Sequence, residues 1–327
     1  MTESHVAGTP VILVANNEGW PGVSRAAQAL AAGERAVDAI EAGIRLVETD
    51  ERVRTVGRGG WPNILGEVEL DAAIMDGDTR RTGAVGALRG FLHPISVARA
   101  VMERLPHELL AGDGAARFAR DIGAEPGENL IEDSTAAWRR WVDANVSGEA
   151  RRRWPEVALE EHCRRAVDPE RGRDTTVFLA LDGNGSIASG VSTSGWAWKH
   201  PGRLGDSPII GAGSYADSRY GAAACTGAGE MTIRCATARS VVLFMRMGMS
   251  VEDAVDEAAR DLVSLEGGLV SRVTVHAIDA AGAYSVAAVN AEAPLHHWLW
   301  SDGDSPPSQR PVREVRSEPP PARWAGA

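Results

Sequence analysis

The second half of this sequence holds two hairpin signatures separated by two helical stretches, and few architectures accommodate that order. Thr175 to Leu181 is rich in β-formers, Asp182-Gly183-Asn184-Gly185 is a strong turn, and Ser186 to Thr193 returns as a strand. Glu230 to Gly248 and Val251 to Leu265 have helical periodicity. Val273 to Ile278 and Ala283 to Val289 then form a second hairpin around Asp279-Ala280-Ala281-Gly282. A sheet has a face to bury and a helix has a stripe, so layered sheets covered by helices are expected.

The first half supplies more of both elements. Val11-Ile12-Leu13-Val14 reads as a buried strand ended by Asn16-Asn17. Helices are expected over Ser24 to Ala32 and over Ala36 to Val47, where Val37, Ile40, Ile44 and Val47 share one face. Gly33 between them suits a C-cap. Val56 to Asn63 is a glycine-rich turn, and Glu67 to Met75 a strand. Pro94 to Leu105 is a helix opening on proline, and Asp113 to Ile122 another with Asp113 as its N-cap. From Gly123 to Arg173 strand patterns vanish, which predicts an irregular, partly helical, exposed connector. Residues 303–327, rich in Pro, Ser and Arg, read as a mobile tail. No repeat divides residues 1–327, which are read as one domain.

Composition excludes several function classes. Acids outnumber bases by 45 to 34, a net charge of −11, which disfavours a nucleic-acid partner. No apolar run approaches the roughly 20 residues of a membrane span. The three cysteines, Cys163, Cys225 and Cys235, form no CxxC pair, so neither a disulfide framework nor a structural metal is expected. The N-terminus lacks the basic and apolar regions of a secretory signal, and a cytoplasmic location is expected. Neither GxGxxG after the first strand nor a Walker A run occurs, so a nucleotide cofactor has no support.

Chemistry concentrates between Arg173 and Glu230. Thr175 opens a strand and follows Asp174. Alone, such a Thr is an ordinary β-former. Its hydroxyl is also placed to attack the preceding carbonyl in an acyl shift. Hydrolysis would then free an α-amine, with a reference pKa of roughly 8, beside that same hydroxyl. Arg203 and Asp206 lie three residues apart in Gly202-Arg203-Leu204-Gly205-Asp206-Ser207-Pro208. The bland reading is a turn. The functional one is a clamp for a zwitterionic amino acid, guanidinium on carboxylate and carboxylate on ammonium. Thr226-Gly227-Ala228-Gly229 reads either as a flexible turn or as a hydroxyl and open N–H groups suited to an oxyanion.

Together these strings, with Ser192-Thr193-Ser194-Gly195, resemble the N-terminal-nucleophile (Ntn) hydrolases of the glycosylasparaginase and plant-type asparaginase group. The similarity runs from Pro10 to about Val289 and is densest over Gly202 to Gly213. It implies an α+β fold, a four-layer αββα sandwich. It also implies self-cleavage between Asp174 and Thr175 into an α-subunit (1–174) and a β-subunit (175–327), and a homodimer of the cleaved units. Thr175 would be the nucleophile and Thr193 its hydrogen-bonding neighbour. Arg203 would hold the substrate α-carboxylate and Asp206 the α-ammonium. Thr226 and Gly227 would form the oxyanion hole, the Gly227 carbonyl also meeting the ammonium, and Gly229 would keep the turn open. The substrate would be a small aspartyl amide, with no metal or organic cofactor. The Thr-Ser-Gly pattern and Lys199-His200 favour the glycosylasparaginase branch, with L-asparagine or a β-aspartyl dipeptide as alternatives. An uncleaved, inactive amino-acid binder is the reading from another class.

Three positions depart from that group. A Trp normally follows the first strand and walls the pocket. Here Asn17 stands there, and Trp20 lies past Gly19. Arg173 replaces a usual His, and Ala228 a usual polar residue. Either Asn17 takes the place of that Trp or Trp20 reaches in from a longer loop. Trp20 reads as a plain surface-loop or core anchor, or as part of a loop, Asn16 to Trp20, that reshapes the leaving-group side of the pocket.

Overall fold

The computed structural model describes residues 10–166, 175–302 and 306–315. The chain opens with strand β1 (Ile12–Asn16), a 3-10 turn at Asn17–Gly19, and helices α1 (Val23–Ala31) and α2 (Ala36–Thr49). Strands β2 (Leu70–Asp76) and β3 (Thr82–Leu88), helix α3 (Pro94–Arg104) and strand β4 (Leu109–Ala111) follow. Helices α4 (Gly112–Asp121), α5 (Glu132–Asn145), α6 (Gly148–Arg153) and α7 (Glu160–Ala166) make up the middle of the chain. Then come β5 (Thr176–Leu181), β6 (Ile187–Thr193), β7 (Ser214–Asp217) and β8 (Gly221–Gly227). Helices α8 (Gly229–Cys235), α9 (Thr237–Arg246) and α10 (Val251–Val263) lead into β9 (Val273–Asp279), β10 (Tyr284–Val289) and β11 (His296–Ser301). The short strands β12 (Ser308–Pro311) and β13 (Arg313–Glu314) close the described chain.

The strands form two sheets, in orders β12-β11-β1-β5-β6-β2-β3-β4 and β13-β10-β9-β8-β7. Alternation along each central strand assigns its residues to two cores. In β1 and β5, Ile12, Val14, Val177, Leu179 and Leu181 meet Ala222, Ala224, Ile278 and Val286 of the second sheet. Their neighbours Leu13, Ala15, Phe178 and Ala180 pack against α1 and α2 through Ala26, Leu30, Ile40 and Ile44. On the far side of the second sheet, Ala223, Cys225, Val273, Val275 and Ala277 pack on Val241, Val242, Val255 and Leu262 of α9 and α10. Strands buried on both faces explain the unbroken apolar runs in the sequence. No helix among the described residues is long and apolar enough to cross a membrane.

Several expectations change. The helix expected over Glu230 to Gly248 is two, broken at Ala236, whose φ of 48° is left-handed. The break lets the N–H groups of Ala238 and Arg239 donate to the carbonyls of Ala212 and Gly211. Asp113 does not cap α4; the N-cap is Ala111, and Asp113 lies in the first turn, where its charge suits the helix dipole. Thr226 and Gly227 end strand β8 instead of lying in a flexible turn. That strand reads Gly-Ala-Ala-Ala-Cys-Thr-Gly, without the β-branched run that marks a strand from sequence. Part of the stretch expected to be mobile is paired: β12 lies against β11, and β13 against β10.

The connector is also more ordered than its composition suggested. Its Trp138, Trp141 and Trp154 gather with Trp61 around Ile64 and Trp198. Trp141 stacks on Trp198 with centroids 5.7 Å apart, and the Trp138 Nε1–H donates to the Ile64 carbonyl.

Candidate active site

Thr175 lies buried immediately before β5. Asn16, at the end of β1, holds this point of the chain. Its Nδ2 donates to the Thr175 carbonyl at 2.6 Å, and its Oδ1 accepts from the Val177 N–H at 2.9 Å. The Thr175 hydroxyl lies 3.4 Å from that of Ser207, the residue after Asp206. Thus the strand opening and the charged loop, 32 residues apart, meet at one place.

In the antiparallel pair of β5 and β6, Thr176 is opposite Ser192, which puts Thr175 next to Thr193 in register. The Thr193 hydroxyl is engaged elsewhere: it donates to the Thr55 carbonyl and accepts from the Gly195 N–H. Ser192 donates to Glu48, a carboxylate whose burial raises its pKa against the lowering effect of His93 and Ser192.

Asp206 is buried, and burial lifts its pKa from 3.8 to about 6, although Thr232 and Arg203 act in the opposite direction. The Thr232 hydroxyl donates to Asp206 Oδ2 at 2.7 Å. A Cβ on Gly229 would sit 2.6 Å from the other carboxylate oxygen. Gly229 is therefore glycine because the Asp206 carboxylate occupies the space of a side chain. Gly227, with φ of 109°, would place a Cβ 2.3 Å from the Arg272 carbonyl. Thr226 beside it is buried and paired in register with Thr274 of β9.

Arg203 is held by Glu230. Nε donates to Glu230 Oε1 at 3.1 Å, and Nη2 reaches both carboxylate oxygens at 2.8 and 2.9 Å. The Trp196 ring lies over the guanidinium, 4.4 Å from its carbon. The loop bearing Arg203 is anchored from below. Glu69 accepts from the Gly202 N–H, and Asp71 accepts from the N–H groups of Gly205 and Ala87. Buried Lys199 donates to the Glu69 carbonyl. Burial lowers its pKa, while Asp71 and Glu69 favour its charge.

Of the residues singled out in the sequence, Thr175 meets the Asp206 loop through Ser207, Thr193 lies beside Thr175 in strand register, and Gly229 borders the Asp206 carboxylate. Arg203 reaches this group through Glu230, the residue after Gly229, while Thr226 and Gly227 end β8 and pair with β9. Asp174 lies outside the described residues. Asn17 and Trp20 face other partners. The Asn17 carbonyl accepts from Trp298 Nε1, and its Oδ1 from Gln309 Nε2. Trp20 is 36% exposed, with the Arg52 guanidinium 4.2 Å from its ring centroid. Sequence reasoning passed over Asn16, Ser207, Glu230 and Thr232. Ser207 and Glu230 stand inside the motifs already noted. The Asn16/Asn17 choice needed the strand's inward face.

Comparisons with known proteins identify the family. A family model described as asparaginase matches residues 21–297. An N(4)-(β-N-acetylglucosaminyl)-L-asparaginase of Elizabethkingia miricola is 39% identical over 264 residues, 81% of this chain and 72% of that protein. A plant-type L-asparaginase of Pyrococcus abyssi is 40% identical over 235 residues, covering 71% and 73%. An isoaspartyl peptidase/L-asparaginase of Danio rerio is 38% identical over 247 residues, 74% of each chain. With a family match over most of its length and relatives at this identity, the chain belongs to the asparaginase family.

Proposed function

We propose that this protein is a self-cleaving Ntn amidohydrolase that hydrolyses an amide on the β-carboxyl of L-aspartate, with N4-glycosylated asparagine as its first substrate. The observation that carries this reading is the meeting of the Thr175 hydroxyl with the Asp206-Ser207 loop, 3.4 Å from Ser207. A nucleophile beside the loop that carries a buried carboxylate and a guanidinium suits an amino-acid head presenting its side-chain amide. The three apolar cores, one between the sheets and one on each outer face, support the four-layer αββα sandwich. The active form would be the pair of chains 1–174 and 175–327, as a homodimer.

In the mechanism, the Thr175 hydroxyl attacks the β-amide carbonyl, and its freed α-amine takes the hydroxyl proton. Thr226 and Gly227 hold the oxyanion. The amine leaves with a proton, and water hydrolyses the aspartyl ester to aspartate and free Thr175. Aspartate release from glycosyl-asparagine, L-asparagine and a β-aspartyl dipeptide, measured side by side, tests the reading and ranks the leaving groups. No release from any of them would overturn it.

Asp206 gives the reaction a pH signature. It must be ionised to receive an ammonium, so kcat/KM is expected to fall as the pH drops through about 6. The same shift costs stability. A carboxyl raised in the folded chain from 3.8 stabilises the fold fully below that value and loses this contribution as the pH rises through about 6. Asp206→Asn is therefore expected to raise Tm at pH 7.5, by on the order of 3 kcal/mol in stability, and not at pH 3.5, while losing activity. Equal Tm changes at both pH values would contradict the assignment.

Trp20→Ala is expected to leave self-cleavage and the ratio of activities on glycosyl-asparagine and asparagine unchanged, because its ring partner is Arg52. A changed ratio would put the Asn16–Trp20 loop in the pocket wall.

A further inference from the structure

A guanidinium that reads a carboxylate has to be aimed, and Arg203 is constrained on several sides. Glu230 occupies the Nε–Nη2 edge through three hydrogen bonds. Trp196 covers a face at 4.4 Å. The remaining nitrogen, Nη1, lies 2.9 Å from where a Cβ on Gly205 would sit and 3.3 Å from that position on Gly195. Two glycines thus make room for it. Among the described residues no hydrogen bond engages Nη1, so the Nη1–Nη2 edge can meet a second carboxylate. A long Arg side chain otherwise samples many rotamers, and its fork matches a planar carboxylate only when the plane is fixed.

We propose that Trp196 and Glu230 are positioning residues that fix the plane of Arg203, so that its Nη1–Nη2 edge selects substrates with a free, planar α-carboxylate. The inference rests on the reading of Arg203 as the carboxylate partner of an aspartyl amide. Glu230 and Trp196 do not touch the reacting carbonyl in this scheme; they act through Arg203. Glu230 sets the rotation in the plane, and Trp196 blocks swinging out of it. A single carboxylate partner without the ring would leave the fork free to tilt.

The experiment compares kcat and KM of the self-cleaved enzyme on its best aspartyl amide and on the α-carboxamide form of that substrate. Wild type, Trp196→Leu, Trp196→Phe and Glu230→Gln are assayed. Trp196→Leu is expected to lose about ten-fold in kcat/KM on the free acid, carried by KM, the size of a partly desolvated cation–π contact. Activity on the carboxamide should not change, and Trp196→Phe should recover most of the loss. Equal losses on both substrates, or none on either, overturn the inference. If Trp196→Leu does not fold, Glu230→Gln carries the same comparison at about pH 8, where Asp206 is ionised with or without the Glu230 charge beside it, with the same two outcomes. Calorimetric binding of L-aspartate separates the two levels. A wild type that neither hydrolyses an aspartyl amide nor binds L-aspartate overturns the reading of the site and this inference with it. A wild type that does both, beside variants that match it on the free acid, overturns the inference alone.

Discussion

Thr175→Ala is expected to run as one 34.6-kDa chain on a denaturing gel and to lose aspartate release by on the order of 10⁴-fold or more, the usual scale for removing a covalent nucleophile. Both losses have one cause. In the acyl shift the Thr175 hydroxyl attacks the Asp174 carbonyl, the peptide nitrogen is expelled as the new α-amine, and water cleaves the ester. In catalysis the same hydroxyl attacks the substrate amide, with that amine as its base. Without the oxygen neither sequence starts. Asn16 already holds the Thr175 carbonyl and the Val177 N–H, so the backbone at this point stays in place when the side chain is trimmed. Thr175→Ser keeps the oxygen and should retain cleavage. The nearby Ser207 hydroxyl supplies the sharpest alternative. If Thr175→Ala is still cut at the same bond, Ser207 or another group attacks, and Thr175 is not the nucleophile.

What could be read from the sequence follows from how local each signal is. The hairpin of β5 and β6 was legible because Asp182-Gly183-Asn184-Gly185 demands a turn and the flanks are β-formers. α2 was legible because its apolar stripe repeats at 3.6 residues. β8 was not, since three alanines in a row carry no strand preference; its place is set by β7 and β9 on either side. The break at Ala236 was not, since it is fixed by hydrogen bonds to Gly211 and Ala212, far away in sequence. The site behaves in the same way. Thr175, Arg203 and Asp206 stand in short motifs with a chemical logic of their own. Their supports come from separate elements: Asn16 from β1, Glu69 near β2, Asp71 in it, and Thr232 from α8. No spacing rule connects residues that meet only through tertiary packing. Trp20 shows the same dependence on tertiary packing: its nearness to the first strand in sequence left both a pocket-wall and a surface-loop reading, and the ring lies under Arg52.

Arg203→Leu is expected to lower kcat/KM on aspartyl amides by roughly 30- to 5,000-fold, the equivalent of about 2–5 kcal/mol for removing one partner of a buried charge pair. Self-cleavage should proceed, because maturation has no free substrate carboxylate to hold. The loss has a second part, through Asp206. Burial lifts the Asp206 pKa to about 6, Arg203 holds it down and Glu230 pushes it up. With leucine in place, burial and the now unpaired Glu230 act without that opposition. The carboxyl then protonates more readily, and the acid limb of kcat/KM moves above pH 6. Activity of the variant relative to wild type should therefore rise as the assay pH is raised from 6 to 8.5. A variant with full activity would remove Arg203 from the site. One with a large loss and an unmoved acid limb would keep Arg203 as the carboxylate partner while showing that its charge does not reach Asp206.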